Sequence, residues 1–401
     1  MMQLNTLYIM NTVLILDACQ RSALAATRSL GRHGIPLLTA DDTASALAGR
    51  SKYSSQYITY PSPRTQPDLF IAAIIELCKR KNIKILFPMT ELTSNLLLIH
   101  RDQFAGIALP FADIKVVDAL ADKYALMHLA EPLNIPVPDT HFANSPDTLN
   151  VDLNTLDYPL VLKPGKSWLL HQQEWLHTSV RFANNAAEAR TILANDTAFH
   201  THPFMLQNCV PGKGEGIFAL YDNGKPLAFF AHKRLREKPP RGGVSVLSES
   251  TDINPQLLAY TRALLDHAGW HGIAMVEFRV EPNGTPYLME INTRFWGSLQ
   301  LAIDAGVDFP WLLYQVSCGQ QIAPVPSYKT GKRLRWLLGD LDSLYLTLRD
   351  KDFSFIDKAV AILNFLMPTP FRTRHEVNRL SDLGPFWWEL KQYLKDLFGK
   401  V

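Results

Sequence analysis

The residues best suited to chemistry lie in the stretch Ile273 to Ser298, IAMVEFRVEPNGTPYLMEINTRFWGS. Ile273 to Val280 and Tyr287 to Thr293 are rich in β-formers, and Asn283-Gly284 lies between them. An Asn-Gly pair between apolar runs predicts a hairpin, because both residues tolerate the positive φ of a type I′ turn. With those two residues as the loop, Glu277 falls opposite Glu290, and Asn292 shares their face opposite Met275. Opposed carboxylates repel, and a divalent cation between them removes the penalty. Hard cations such as Mg2+ take carboxylate and amide oxygens. Arg294 follows with the same parity, placed to reach an anion held by that metal. The hairpin therefore suggests a metal–phosphate site. Alternating Glu and Arg is equally the pattern of a solvent-facing strand, and spacing alone leaves both readings open.

Other charged residues sit where a bare charge is costly. Lys163 lies inside the apolar strand Tyr158 to Pro164, YPLVLKP. A buried lysine needs a partner, which suggests a phosphate or a carboxylate. Lys123 lies in or near the first turn of a helix predicted over Asp118 to Leu133, with Asp118 or Asp122 as its cap. A cation there opposes the helix dipole unless an anion is close, although a solvated surface lysine is the plainer reading. The run His232-Lys233-Arg234-Leu235-Arg236 leads into a PPRGG loop ending at Gly243. Lys233, Arg234, Arg236 and Arg241 would suit an anionic ligand, and a solvated basic loop fits as well. Glu91 follows a predicted strand at the edge where open α/β sheets place ligand groups, although a surface or helix-capping glutamate is the plainer reading.

These residues need elements to position them, and 401 residues imply two or three domains. A hydrophobic content of 47% and a charged content of 19% fit an ordinary soluble globular chain. A net charge of +2 gives no reason to expect nucleic acid as a partner. Cys19, Cys78, Cys209 and Cys318 form no CxxC pair, so neither a zinc site nor a disulfide framework is expected, and a reducing cytoplasm is the natural setting. The apolar run Leu7 to Leu16 is interrupted by Asn11 and lacks a basic leader, so it reads as a first strand rather than a signal peptide.

From there to residue 115 the chain alternates. Val13 to Leu16 reads as a strand, Ser22 to His33 as a helix closed by Gly34, and Ile35 to Thr39 as a strand. Leu69 to Lys81 reads as a helix and Ile83 to Pro88 as a strand. That order predicts a parallel sheet covered by helices, and the loop Asp17 to Ser22 lacks a GxGxxG fingerprint. Strands follow at Phe204 to Gly212, Ile217 to Tyr221 and Leu227 to Phe230, then helices at Pro255 to His267, Phe295 to Ile303 and Phe309 to Cys318. Beyond about residue 326, Trp336, Leu337, Leu341, Leu344, Tyr345 and Leu348 have helical spacing, as do Phe386, Leu390, Tyr393, Leu394 and Leu397. Packing of these faces on the body is expected, with a membrane surface as the less favoured alternative.

Taken together, these stretches resemble the ATP-grasp superfamily, in the branch like carbamoyl-phosphate synthetase and biotin carboxylase, over roughly residues 5 to 320. Asp122-Lys123 opens a helix that ends in IPVPDT. YPLVLKP carries Lys163, and FMLQNCVPGKGEG looks like the hinge between two lobes. MVEF followed by LMEINTRFWGS is very like the family's E-x-N-x-R metal and phosphate strand. The resemblance implies an α/β chain in three parts. Residues 1–115 would be a Rossmann-like pre-ATP-grasp domain. Residues 116–325 would be a two-lobed α+β ATP-grasp domain, its first lobe 116–206 and its second 207–325. Residues 326–401, which lie outside the family's general pattern, would be a helical extension.

The resemblance also implies roles. Lys123 and Lys163 would hold the phosphates of ATP, and Gln207, Asn208, Cys209 and Val210 would meet the adenine. Glu277, Glu290 and Asn292 would bind Mg2+ (or Mn2+). Arg294 would stabilise the transferred phosphoryl or the acyl phosphate. Apart from the resemblance, Arg236, Arg241, Gly242 and Gly243 are read as the acid-binding loop, with Arg236 as a second catalytic residue. One departure is the flap after Lys163-Pro164, usually Gly-rich, which here reads Gly165-Lys166-Ser167-Trp168-Leu169-Leu170-His171. The expected activity is that of a cytoplasmic carboxylate–amine ligase acting on small molecules through an acyl phosphate, in a chain compatible with a homodimer. Nucleotide binding without turnover and a carboxylase-like use of bicarbonate are the alternatives.

Overall fold

The first apolar run forms the strand Thr12–Ile15 at the centre of an all-parallel sheet. The order is Tyr57–Thr59, Leu37–Asp41, Thr12–Ile15, Ile83–Phe87, with the helices Arg21–Arg32 and Pro67–Lys81 as crossovers. Residues 10–171, 174–240, 243–367 and 373–399 are described, in a computed structural model. Asp17, just past the first strand with φ of 55°, accepts hydrogen bonds from the amides of Met89 and Thr90, each at 2.8 Å. It thereby ties the carboxyl ends of the first and fourth strands together and starts the helix Glu91–Ile99.

A small antiparallel sheet follows, in the order Thr140–Ala143, Phe204–Asn208, Leu160–Pro164, Arg181–Ala183. The single helix expected over Asp118 to Leu133 is two helices, Ile114–Ala121 and Lys123–Ala130. Asp122 divides them, because its carboxylate caps the second helix by accepting from the amides of Tyr124 and Ala125. The residues after Gly165 form a hairpin, Trp168–His171 paired with Glu174–His177.

The largest sheet has seven strands, in the order Pro286–Asn292, Gly272–Val280, Lys213–Asp222, Lys225–Lys238, Val244–Ser250, Arg333–Arg335, Thr373–His375. One face packs on Trp270, Leu264 and Leu126. The other shares a core with the helix Arg21–Arg32, through Phe218, Phe230, Trp296, Ala23 and Leu24. The parallel layer and the large sheet thus meet across one apolar cluster. The basic run Lys233 to Arg236 is strand rather than loop, and Val244–Ser250 is a strand that the sequence reading did not separate from the loop before it.

The extension is helical, at Leu337–Arg349, Phe355–Leu366 and Gly384–Phe398, but it also adds the last two strands of the large sheet. Its first helix faces opposite to expectation. Leu341, Tyr345 and Leu348 are exposed, while Asp340, Ser343 and Thr347 are buried. The reason is ionic. Asp340 takes Arg236 through two bonds of 2.6 Å and Arg335 through a third of 2.6 Å, and carboxylates bonded in this way are tolerated inside. The last helix packs through its first ten residues, where the indole nitrogen of Trp388 donates to Ser45 Oγ at 2.8 Å, Glu389 accepts from the Trp336 indole at 2.7 Å and Tyr393 donates to Asp342 at 2.7 Å, while Leu394, Leu397 and Phe398 face outward. Phe355–Leu366 has no buried residue, and Phe355 is 86% exposed. Among the described residues no helix is long and apolar enough to cross a membrane.

Candidate active site

The hairpin Gly272–Val280 / Pro286–Asn292 places Glu277 opposite Glu290 and Met275 opposite Asn292. It reaches that register by a route the sequence does not show. The turn holds three residues, Pro282 to Gly284, closed by Glu281 N–H to Thr285 O at 2.9 Å, and only Gly284 has positive φ, at 93°. This is a type I turn with a glycine bulge rather than type I′. It offsets the pairing by one residue, so that Phe278 faces Leu288 and Val280 faces Pro286. A second bulge between Glu277 and Phe278 leaves Met289 unpaired and restores the register at the carboxylates. Met289 Sδ lies 3.9 Å from Lys163 Nζ.

Each carboxylate is held by a cation. Lys123 Nζ lies 3.1 Å from Glu290 Oε2, and Arg234 Nη2 lies 2.7 Å from Glu277 Oε2. Asn292 Nδ2 donates to Glu290 Oε1 at 3.0 Å, which leaves its own carbonyl oxygen as a free acceptor. Lys123, with its side chain 12% exposed, is the first residue of its helix, and Gly165 fixes its backbone by accepting from the Lys123 amide at 2.7 Å. The dipole that disfavours a cation there is answered by Glu290. The field of Lys123 drives the Glu290 carboxyl down to about 2. Burial pushes Glu277 up, against the pull of Arg234, and the neighbouring Glu290 adds to the rise. Burial lowers the Lys163 ammonium to about 8, with Glu290 opposing the shift and Lys123 reinforcing it. Two carboxylates and an amide oxygen on one face are a hard donor set suited to Mg2+.

The other predicted residues divide. Arg294 lines the same cleft, its Nη1 donating to Phe295 O at 3.0 Å. Gln207 is buried within the small sheet and donates to Thr140 Oγ1, and Asn208 ends that strand. Cys209 and Val210 lie in the link between the small and large sheets, the position of a hinge. Arg236 is not brought to the cleft. A bulge between Arg234 and Arg236 breaks the alternation that would put both on one face, and Arg236 turns to Asp340. Lys233 pairs with Glu249 at 3.0 Å. Gly243 lines the cleft, while Arg241 and Gly242 lie outside the described residues.

Several residues that line or face the cleft were not assigned from sequence. Arg234 was one of four undistinguished cations. Glu91 was weighed chiefly as a cap, yet burial raises its carboxyl while Lys123 and Arg294 pull it down, so it faces the same cations from the parallel layer. Gln20 and Arg21 come from the start of the helix after the first strand, and His232 and Ser298 join them around a cleft of about 460 Å3. The place of Gln20-Arg21, at the carboxyl end of a central parallel strand, was the available signal. The hairpin after Gly165 stands over one end, with Ser167 Oγ at 3.4 Å from Lys123 Nζ and Trp168 and Trp175 packed on the core of the parallel layer.

The fold resembles that of ATP-grasp enzymes, and part of the chain matches an ATP-grasp family model. Residues 200–339 match the family described as "ATP-grasp in the biosynthetic pathway with Ter operon". Biotin carboxylase from Campylobacter jejuni, solved as a β,γ-ATP complex, is similar in structure with a TM-score of 0.63 at 17% identity, over 80% of this chain and 74% of that one. L-amino acid ligase from Bacillus licheniformis has a TM-score of 0.59 at 15% identity, over 77% and 74%. N5-carboxyaminoimidazole synthetase from Staphylococcus aureus has a TM-score of 0.59 at 13% identity, over 80% of each chain. No curated protein matches in sequence.

Proposed function

We propose that the protein is an ATP-dependent carboxylate–amine ligase that forms an amide through an acyl phosphate. The observation that most supports this is the opposed pair Glu277 and Glu290, with Asn292 beside them and a lysine or arginine on each carboxylate. Lys123 and Lys163 bind the nucleotide phosphates. The backbone from Gln207 to Val210 borders the adenine, and Glu277, Glu290 and Asn292 hold Mg2+. Bound there, Mg2+ would supply the charge neutralisation that phosphoryl transfer needs. Lys123, now paired with Glu290, would turn to the phosphates and leave that carboxylate available to the metal. Arg294, and Arg234 in place of Arg236, orient the substrate carboxylate and stabilise the acyl phosphate. The acyl phosphate provides the leaving group that a carboxylate lacks, and the amine displaces it. The chain itself contributes orientation and fixed charge.

Glu290→Gln tests the reading, since it removes charge at constant volume. ADP formation with a screen of acid and amine pairs should be lost while the fold is kept, and Lys123 should lose its partner. Undiminished ADP formation in this variant would refute the metal assignment. ADP release that requires an added amine separates a ligase from a bicarbonate-dependent carboxylase, and its absence under every pair would favour nucleotide binding alone.

A further inference from the structure

The ligase reading leaves one end of the cleft unused. The helix Arg21–Arg32 starts there, and its N-cap Gln20 makes no side-chain bond to the helix amides. The amides of Arg21, Ser22 and Ala23 have no acceptor among the described residues. There is no acidic residue in the first turn. A helix start without a capping carboxylate or hydroxyl presents partial positive charge to whatever lies before it.

Two buried side chains on the cleft wall each carry a ring nitrogen without a hydrogen-bond partner among the described residues. His232 is 3% exposed and Trp296 is 2% exposed, and both line this cleft. His232 Nε2 is 2.8 Å from Ser298 Oγ, but its Nδ1 has no partner, and neither has the indole nitrogen of Trp296. Buried nitrogens left in this state are costly unless a ligand meets them. Arg21 completes the end. Its guanidinium lies 4.2 Å over the ring of Trp336, and one nitrogen is bonded to Glu376. Its Nη2 makes no hydrogen bond among the described residues and lies so close to Gly297 that a Cβ there would come within 3.0 Å of it. The extension therefore sets Arg21 in place, through Glu376 and Trp336, with donors still directed to the cleft.

We infer that this end is a second anion subsite, in which Arg21 and the first turn of its helix hold a carboxylate or phosphate group of the acid or amine substrate. In the terms of the ligase reading, on which the word substrate rests, the protein selects a partner that carries an anionic group besides the one that reacts. Glu376 is a positioning residue, since it acts on the ligand only through Arg21.

The test does not depend on turnover, so it stands apart from the ligase reading. The full-length protein is loaded with a non-hydrolysable ATP analogue and Mg2+ to fill the phosphate sites at Lys123 and Lys163. Inorganic phosphate and acetate are then titrated by calorimetry in separate arms, which distinguish the two anion sources. At least one should bind, and Arg21→Met should weaken it by about tenfold or more with nucleotide affinity unchanged, as expected for loss of a charged hydrogen bond. Arg21→Lys should recover part of the affinity, and Glu376→Gln should retain anion binding even where it lowers the melting temperature. Equal anion affinity in wild type and Arg21→Met, or no anion binding by the loaded wild type, would overturn the proposal. A wild-type crystal soaked in selenate repeats the test without a substitution. An anomalous peak at the amides of Arg21 and Ser22 is expected, and peaks confined to other places would overturn it.

Discussion

Lys163 offers a prediction whose size follows from its surroundings. Burial beside Lys123 brings its ammonium down to about 8, although Glu290 works against the shift. Relative to a free lysine near 10.4, holding that charge costs about 3 kcal/mol in the empty protein. The folded value lies below the unfolded one. The cost is therefore fully present below pH 8 and relieved as pH rises toward the unfolded value, so this group's contribution to stability improves over that window. Nucleotide binding should run the other way. Phosphate binds the charged form, and roughly half of the empty sites carry the proton at pH 8 and about a tenth at pH 9. Affinity for the magnesium–nucleotide should fall by about tenfold between pH 7 and pH 9, or ~1.4 kcal/mol, with uptake of about half a proton per site at pH 8. Calorimetry in buffers of different ionisation enthalpy measures both. In Lys163→Met the affinity should be weaker by about 2 kcal/mol or more and nearly independent of pH over this range. A wild type with flat affinity from pH 7 to pH 9 and no proton uptake would refute the reasoning.

Other variants separate chemistry from scaffolding. Arg234→Ala should abolish ADP formation by freeing Glu277 and removing a cation from the cleft. Arg236→Ala should act instead through stability, measured by denaturant titration, since its partner is Asp340. Asp340→Ala leaves Arg335 buried without its carboxylate and should cost about 3–5 kcal/mol in the same assay. Ile356→Glu, at a position 74% exposed, should change stability by less than about 0.5 kcal/mol.

How far the sequence discloses this protein differs from one element to the next. The parallel layer was legible because each strand and helix carries its own period and stop signal, as at Gly34 and Asn82, both with positive φ. The pairing of Glu277 with Glu290 was also legible, yet the expected turn was wrong. Two offsets, at Gly284 and Met289, cancel each other, and a bulge leaves no mark in hydrophobic alternation. The same blindness misplaced Arg236. Arg234 and Arg236 share parity in sequence, and only the bulge between them sends one to Glu277 and the other to Asp340. The first helix of the extension misled for another reason. Its apolar spacing is real, but a buried carboxylate shared by Arg236 and Arg335 fixes which face turns inward, and those arginines come from distant strands. Arg21 escaped because it enters the cleft from the parallel layer, a juxtaposition made by packing rather than by local pattern.

The central claim is that the Glu277–Glu290 face is a metal and phosphate site. A crystal structure of the protein with Mg2+ and a non-hydrolysable ATP analogue tests it directly. The account predicts magnesium at about 2.0–2.1 Å from oxygens of Glu277, Glu290 and Asn292, with Lys123 and Lys163 on the phosphates and the adenine against Cys209 and Val210. Nucleotide bound elsewhere, or bound here with Lys123 still paired to Glu290 and no metal on either carboxylate, would contradict it.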